Sequence, residues 1–179
     1  MAYRVVSSQI EFEGKLLRIR TDHVELQGGN IQQLEIVVHH GAVAIVPVDT
    51  EGNIWFVEQY RHPAGEILLE IPAGTLNPGE DPADCAHRES REEIGMAPEE
   101  LIPLGAGFMA PGYSTEFLHF FLARNLTPSA LDPDEDEELS IQKIHMQQAW
   151  GEATEGKIRD IKTIAGLALA RDFLNRNAG

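Results

Sequence analysis

Gly74-Thr-Leu-Asn-Pro-Gly-Glu80, followed by Arg88-Glu89-Ser90-Arg91-Glu92-Glu93-Ile94-Gly95-Met96, is the stretch that decides how this chain is read. The residues between the two pieces open a helix. Asp81 suits the N-cap, Pro82 the first helical position, and Asp84 the positive end of the helix dipole. Gly95 suits the left-handed residue that ends the helix. With about 3.6 residues per turn, Glu89 neighbours both Glu92 and Glu93. Like charges at that spacing weaken a helix by a few tenths of a kcal/mol per pair, so a cation must offset them. Carboxylate oxygens are hard donors, and a hard divalent ion, Mg²⁺ or Mn²⁺, is the cation they fit.

An isolated pair of glutamates on a helix is usually solvated surface. Here the spacing is fixed at nine positions: Gly, five residues, Glu, seven residues, then Arg-Glu-(apolar)-x-Glu-Glu-x-Gly-(apolar). That pattern resembles the signature of the Nudix hydrolases, and Gly74, Glu80, Arg88, Glu89, Glu92, Glu93, Gly95 and Met96 match it. Ser90 departs, standing where the signature has an apolar residue. On the helix Ser90 shares a stripe with Ala83, Ala86 and Ile94 and should face the core. There its hydroxyl can bond back to the carbonyl four residues earlier.

Composition limits the remaining classes. A chain of 179 residues, 42% hydrophobic and 24% charged, fits one domain with a small appendage. No apolar run reaches the ~18 residues of a membrane span, and the start, Met-Ala-Tyr-Arg-Val-Val, lacks the pattern of a signal peptide. The expectation is a cytoplasmic protein. A net charge of −15 without a Lys/Arg-rich stretch argues against nucleic acid or an anionic membrane as partner. A small polyphosphate remains open, because metal ions and a few arginines reverse the sign locally. The single cysteine, Cys85, excludes an internal disulfide and reads as an inert buried thiol. The seven histidines show no zinc spacing.

Periodicity lays out the rest. Leu16–Leu26 and Ile31–Val38 alternate around Gly28-Gly29-Asn30 as a hairpin, with a short strand near Tyr3–Ser7. Ala42–Val48, Ile54–Tyr60, Ile67–Ile71, Leu101–Phe108, Phe117–Leu122 and Ser140–His145 read as strands. Gln147–Glu155 and Lys162–Asn177 read as helices. The fold class expected is α/β (α+β): a Nudix-like α/β/α sandwich with a mixed sheet over 40–179, plus a small N-terminal antiparallel β-ribbon over 1–39. A ribbon that small is marginal alone and must pack on something.

Further features resemble the ADP-ribose pyrophosphatase subgroup. Pro111 lies fifteen residues after Met96 in Ala110-Pro-Gly-Tyr-Ser-Thr-Glu116, and Gln59-Tyr60-Arg61-His62 ends a strand. Lys162-Thr-Ile-Ala-Gly-Leu resembles the subgroup's last helix, whereas Asn77 stands where close relatives often carry Glu. The resemblance implies a homodimer with exchanged N-terminal strands. It implies a Mg²⁺-dependent hydrolase, with Mn²⁺ as substitute, cutting ADP-ribose into AMP and ribose 5-phosphate. Metal ligands would be Glu89, Glu93, Glu92, Glu80 and the backbone carbonyl of Ala73, with Arg88 orienting a carboxylate. Arg61, Glu116 and Pro111 would contact substrate. Within the acidic patch Asp132–Glu138 the resemblance places a carboxylate that deprotonates water, Glu135 or Glu137. Another nucleotide sugar, GDP-mannose or ADP-glucose, is the alternative substrate, and a catalytically silent nucleotide-binding module is the alternative class.

Overall fold

The computed structural model describes residues 3–15, 17–132 and 139–177. In chain order these form β1 (Arg4–Glu13), β2 (Arg18–Glu25), β3 (Ile31–Val38), β4 (Ala42–Pro47), β5 (Asn53–Arg61), β6 (Glu66–Glu70), β7 (Ala73–Thr75), α1 (Pro82–Glu93), β8 (Met96–Phe108), β9 (Phe117–Pro128), β10 (Leu139–His145), α2 (Met146–Thr154) and α3 (Ile161–Arg176). They divide into two compact units, Met1–Gly41 with Gly107–Leu118, and Ala42–Ala106 with His119–Gly179.

In the smaller unit β1, β2 and β3 form an antiparallel sheet in that order. The β2–β3 turn needs positive φ at Gly28 (104°) and Gly29 (83°), where a side chain would be strained. β1 runs to Glu13, well past the short strand expected from the sequence, and is exposed at every position. Segment 107–118 joins this unit through Val37, whose N–H donates to the Tyr113 carbonyl (2.8 Å) and whose carbonyl accepts from the Thr115 N–H (3.0 Å).

The larger unit is organised by β4, buried at every position, as a strand covered on both faces must be. It lies in a four-stranded sheet ordered β7-β4-β9-β8, and a three-stranded sheet runs β10-β5-β6. Alternation along β4 sends its side chains to two different helices. Val43 and Ile45 pack with Cys85 and Ala86 of α1, together with Phe121 and Ala123 of β9. Val46 faces the other way, toward α3, where a Cβ added to Gly166 would lie 3.2 Å from Val46 and 2.6 Å from Ile71. Only a glycine lets α3 approach that closely. Helices on both faces of this sheet make the α/β/α arrangement read from the sequence. No helix among the described residues is long and apolar enough to cross a membrane.

Candidate active site

Strand β7 pairs with β4 in the register Ala44↔Ala73 and Val43↔Gly74, which seats the start of the signature beside α1. Asp81 caps α1, its carboxylate accepting from the Ala83 N–H (2.8 Å), and Pro82 follows in the first turn. Gly95, at φ 68°, takes the left-handed conformation just beyond the helix. Gly74 is required by contact: a Cβ there would fall inside the Glu89 carboxylate. Glu93 reaches the same strand, accepting from the Ala73 N–H at 3.3 Å. Both Glu89 and Glu93 are buried.

Arg88 gathers the carboxylates. Its Nε and Nη2 donate to the two oxygens of Glu80 (3.0 and 3.2 Å), and its Nη1 donates to Glu89 (2.6 Å) and Glu92 (2.7 Å). The Asn77 N–H also donates to Glu80, at 2.8 Å. Arg88, then the Asn77 amide, hold the Glu80 carboxyl down at about 2. In return these carboxylates, Glu80 first, push the Arg88 pKa further up. Beneath the cluster, burial and the negative charge of Glu89 push the Cys85 thiol up to about 12, so it is an inert thiol, as read from the sequence.

A second ionic cluster borders the first. Arg61, at the end of β5, clamps Glu70 with Nε (2.8 Å) and Nη2 (2.7 Å), leaving Nη1 outside the fork. Lys162 also donates to Glu70, and to Asp160 at 3.0 Å. Asp160 caps α3 by accepting from the Thr163 N–H (2.9 Å), and Thr163 Oγ1 accepts from the Ile71 N–H (2.8 Å). Burial pushes the Glu70 carboxyl up, but Arg61 and Lys162 outweigh it and hold it below the usual carboxylate range. The Arg61 pKa is raised, chiefly by Glu70, and the charge of Glu93 adds to the effect.

The expected residues Ala73, Glu80, Arg88, Glu89, Glu92 and Glu93 thus come together, and Arg61 lies near enough to feel Glu93. Pro111 and Glu116 belong to the smaller unit. Pro111 is exposed in the turn where the Ala110 carbonyl accepts from the Tyr113 and Ser114 N–H groups. Glu116 donates its N–H to Ser114 Oγ (3.1 Å). Glu135 and Glu137 lie outside the described residues. Ser90 is buried as expected, but its hydroxyl has no hydrogen-bond partner among the described residues, so the expected bond to the preceding turn is not formed. The sequence reading missed Glu70, Asp160 and Thr163 as part of the site. Its one available signal was a glutamate interrupting the apolar strand Ile67-Leu-Leu-Glu-Ile71.

Among the described residues, no three acidic or imidazole side chains already surround one point as a preformed metal cage. The carboxylates close on the Arg88 guanidinium instead. The donor set is nevertheless all oxygen and strongly negative, which fits a hard divalent ion and not a thiolate or imidazole metal.

Fold and site together define an α/β/α protein with an acidic, oxygen-donor centre on its first helix. The chain matches the NUDIX domain over residues 38–167. It is 35% identical over 162 residues to an ADP-ribose pyrophosphatase of Bacillus subtilis (strain 168), covering 89% of this chain and 88% of the relative. A methanol dehydrogenase activator of Bacillus methanolicus is 36% identical over 163 residues, covering 90% and 88%. An ADP-ribose pyrophosphatase of Mycobacterium tuberculosis (strain ATCC 25618 / H37Rv) is 42% identical over 125 residues, covering 69% and 60%. A solved structure described as an ADP compounds hydrolase shares the fold, with a TM-score of 0.90 at 22% identity, over 99% of this chain and 96% of that one. The chain belongs to the NUDIX family of hydrolases, as the signature implied. Members of that family generally use divalent metal ions.

Proposed function

We propose that this protein hydrolyses the diphosphate of ADP-ribose, giving AMP and ribose 5-phosphate, in a Mg²⁺-dependent reaction. The observation that carries the reading is the intact carboxylate cluster held by Arg88 against Gly74 and Ala73. The substrate follows from relatives at 35% and 42% identity that are named ADP-ribose pyrophosphatases. Glu89 and Glu93, with Glu92, Glu80 and the Ala73 carbonyl, would hold Mg²⁺ or Mn²⁺. Such an ion, when bound, neutralises the diphosphate and acidifies water.

The protein's own residues supply the rest. Arg88 keeps the glutamates oriented and limits their mutual repulsion. Arg61 is pre-aimed by Glu70, and its remaining Nη1 is free of that fork to meet a phosphate oxygen. A carboxylate of the acidic patch, Glu135 or Glu137, accepts the proton of the attacking water, and Pro111 and Glu116 contact the substrate. The exposed apolar residues of β1, Val5, Ile10 and Phe12, support a homodimer in which residues 1–39 pair across subunits while residues 40–179 carry the chemistry. We assign the protein to the cytoplasm, with a small nucleotide-derived substrate and no nucleic-acid partner.

GDP-mannose is the second substrate to test, since a GDP-mannose pyrophosphatase of Yersinia enterocolitica is 29% identical over 168 residues. A purely regulatory role, for which the methanol dehydrogenase activator is the precedent by name, fits less well. A silent module has no need of a buried, mutually repelling glutamate set. Product analysis with ADP-ribose, ADP-glucose and GDP-mannose tests the proposal. Turnover of ADP-ribose should stop in EDTA, return with Mg²⁺, and fall at least ~10²-fold in Glu93→Gln. Full turnover in chelator, or no cleavage of ADP-ribose with metal present, overturns it.

A further inference from the structure

A cleft of about 640 Å³ opens in the larger unit between the Asp49–Asn53 turn, the first turn of α2 and the last turns of α3. It lies away from the Arg61–Glu70–Lys162 cluster. Strand β5 starts at the cleft and ends at Arg61, roughly 26 Å away at ~3.3 Å per residue. Along α3, Arg171 in the cleft wall lies about 14 Å from Lys162, at ~1.5 Å per residue. The volume falls within the ~300–1,000 Å³ of small-molecule sites.

Its chemistry opposes that of the whole chain. The net charge is −15, yet Arg124 and Arg171 both line this cleft. Arg171 has no carboxylate within ion-pair distance among the described residues; its guanidinium stands 4.7 Å over the Trp150 ring. The adjacent Asp172 is taken by Arg176. Among the described residues the one carboxylate within ion-pair distance of Arg124 is Glu100, at 3.9 Å. His145 Nδ1 accepts the Gln147 N–H (3.4 Å), so the ring proton sits on Nε2 and makes a third donor. The positive end of the α2 dipole adds to them. The acid in the lining, Asp49, keeps its negative charge, but both its oxygens are engaged by neutral donors, the Glu51 and Asn53 N–H groups, Asn53 Nδ2 and Trp55 Nε1, and the two arginines outnumber it. Beside these donors the Trp150 ring and Leu174 offer an apolar surface suited to something flat.

We propose that this cleft is a second ligand site, for a small anion bearing a flat ring, with a nucleoside monophosphate as its defining chemistry. The two arginines and His145 meet the phosphate, and the ring lies against Trp150. The inference does not depend on the proposed reaction.

The chain's two tryptophans, Trp55 and Trp150, make a direct test possible. In a Trp55→Phe background Trp150 is the sole reporter, and titration with AMP should change its fluorescence saturably. Arg124→Ala and Arg171→Ala should each weaken binding at least ~10-fold, as loss of a charge-assisted hydrogen bond does. Because Arg171→Ala also alters the surroundings of Trp150, equilibrium dialysis of AMP is run in parallel. Arg61→Ala should leave the Trp150 signal unchanged. No saturable change, binding indifferent to both cleft arginines, or a signal lost in Arg61→Ala each overturns the site. Inorganic phosphate binding as tightly as AMP overturns the recognition of the ring.

Discussion

Replacing Arg88 with methionine keeps most of the side-chain volume and removes the charge on which Glu80, Glu89 and Glu92 converge. Arg88 is 28% exposed, and its partners Glu80, Glu89 and Glu92 are 15, 11 and 21% exposed. Stripping the partner from a fully buried pair costs about 3–5 kcal/mol. Residual contact with water lowers that here, and we expect about 2–3 kcal/mol in the metal-free protein. At ~2–3 kcal/mol per molar urea that is a fall of about 1 M in the unfolding midpoint, or about 5–10 °C in Tm for a chain of this size. The freed carboxylates should then bind a divalent ion more readily. Millimolar Mg²⁺ should therefore restore the variant more than it stabilises the parent, and urea melts in EDTA and in Mg²⁺ measure both effects. If Arg88→Met unfolds at the parent's midpoint in EDTA, Arg88 is not the cation that holds the cluster. If Mg²⁺ stabilises both proteins equally, the carboxylates it gathers are not the metal's ligands.

In metal-free protein, Glu80 should make stability pH-dependent. Its folded pKa of about 2 lies below the ordinary 4.5, so its contribution is full above 4.5 and is lost as pH falls toward 2. The gap in urea midpoint between the parent and Glu80→Gln should narrow across that window, and a constant gap refutes the ion pair. Arg61→Ala should raise KM for ADP-ribose by about 10-fold or more with kcat less affected, since a charge-assisted contact is worth about 1.5–3 kcal/mol. An unchanged kcat/KM would leave Arg61 with only its bond to Glu70. Of Glu135→Gln and Glu137→Gln, one should lose ~10²–10⁴-fold in kcat at neutral pH, with KM held and partial recovery as pH rises. Full kcat in both would move the search for the base to Glu92.

The parts of the fold that were legible are those set by local pattern. The buried run of β4, the cap and Pro of α1 and the left-handed Gly95 follow from residues adjacent in the chain. The misses have tertiary causes. Strand β7, three residues after a proline, exists only because β4 pairs with it. Strand β8 begins at Met96, not near Leu101, because it lies at a sheet edge, where Pro98 is tolerated. The signature glutamates were readable because their spacing on one helix carries the chemistry. The contact of Glu70 with Lys162 spans 92 positions, and no periodicity could join them. Ser90 was placed correctly on the buried stripe, but whether its hydroxyl finds an acceptor depends on packing geometry that a stripe does not encode.

Cys85, the chain's single sulfhydryl, lies fully buried on α1 directly below Arg88, which donates to its sulfur at 3.3 Å. Sealed there and kept protonated, it is out of reach of oxidants and alkylating reagents while the helix stays seated. Any labelling therefore times the lifting of α1 from its sheet. The protein carries its own clock for how often the acidic centre comes apart, readable by mass under native conditions with no probe engineered in, and slowed by whatever ligand pins that helix down.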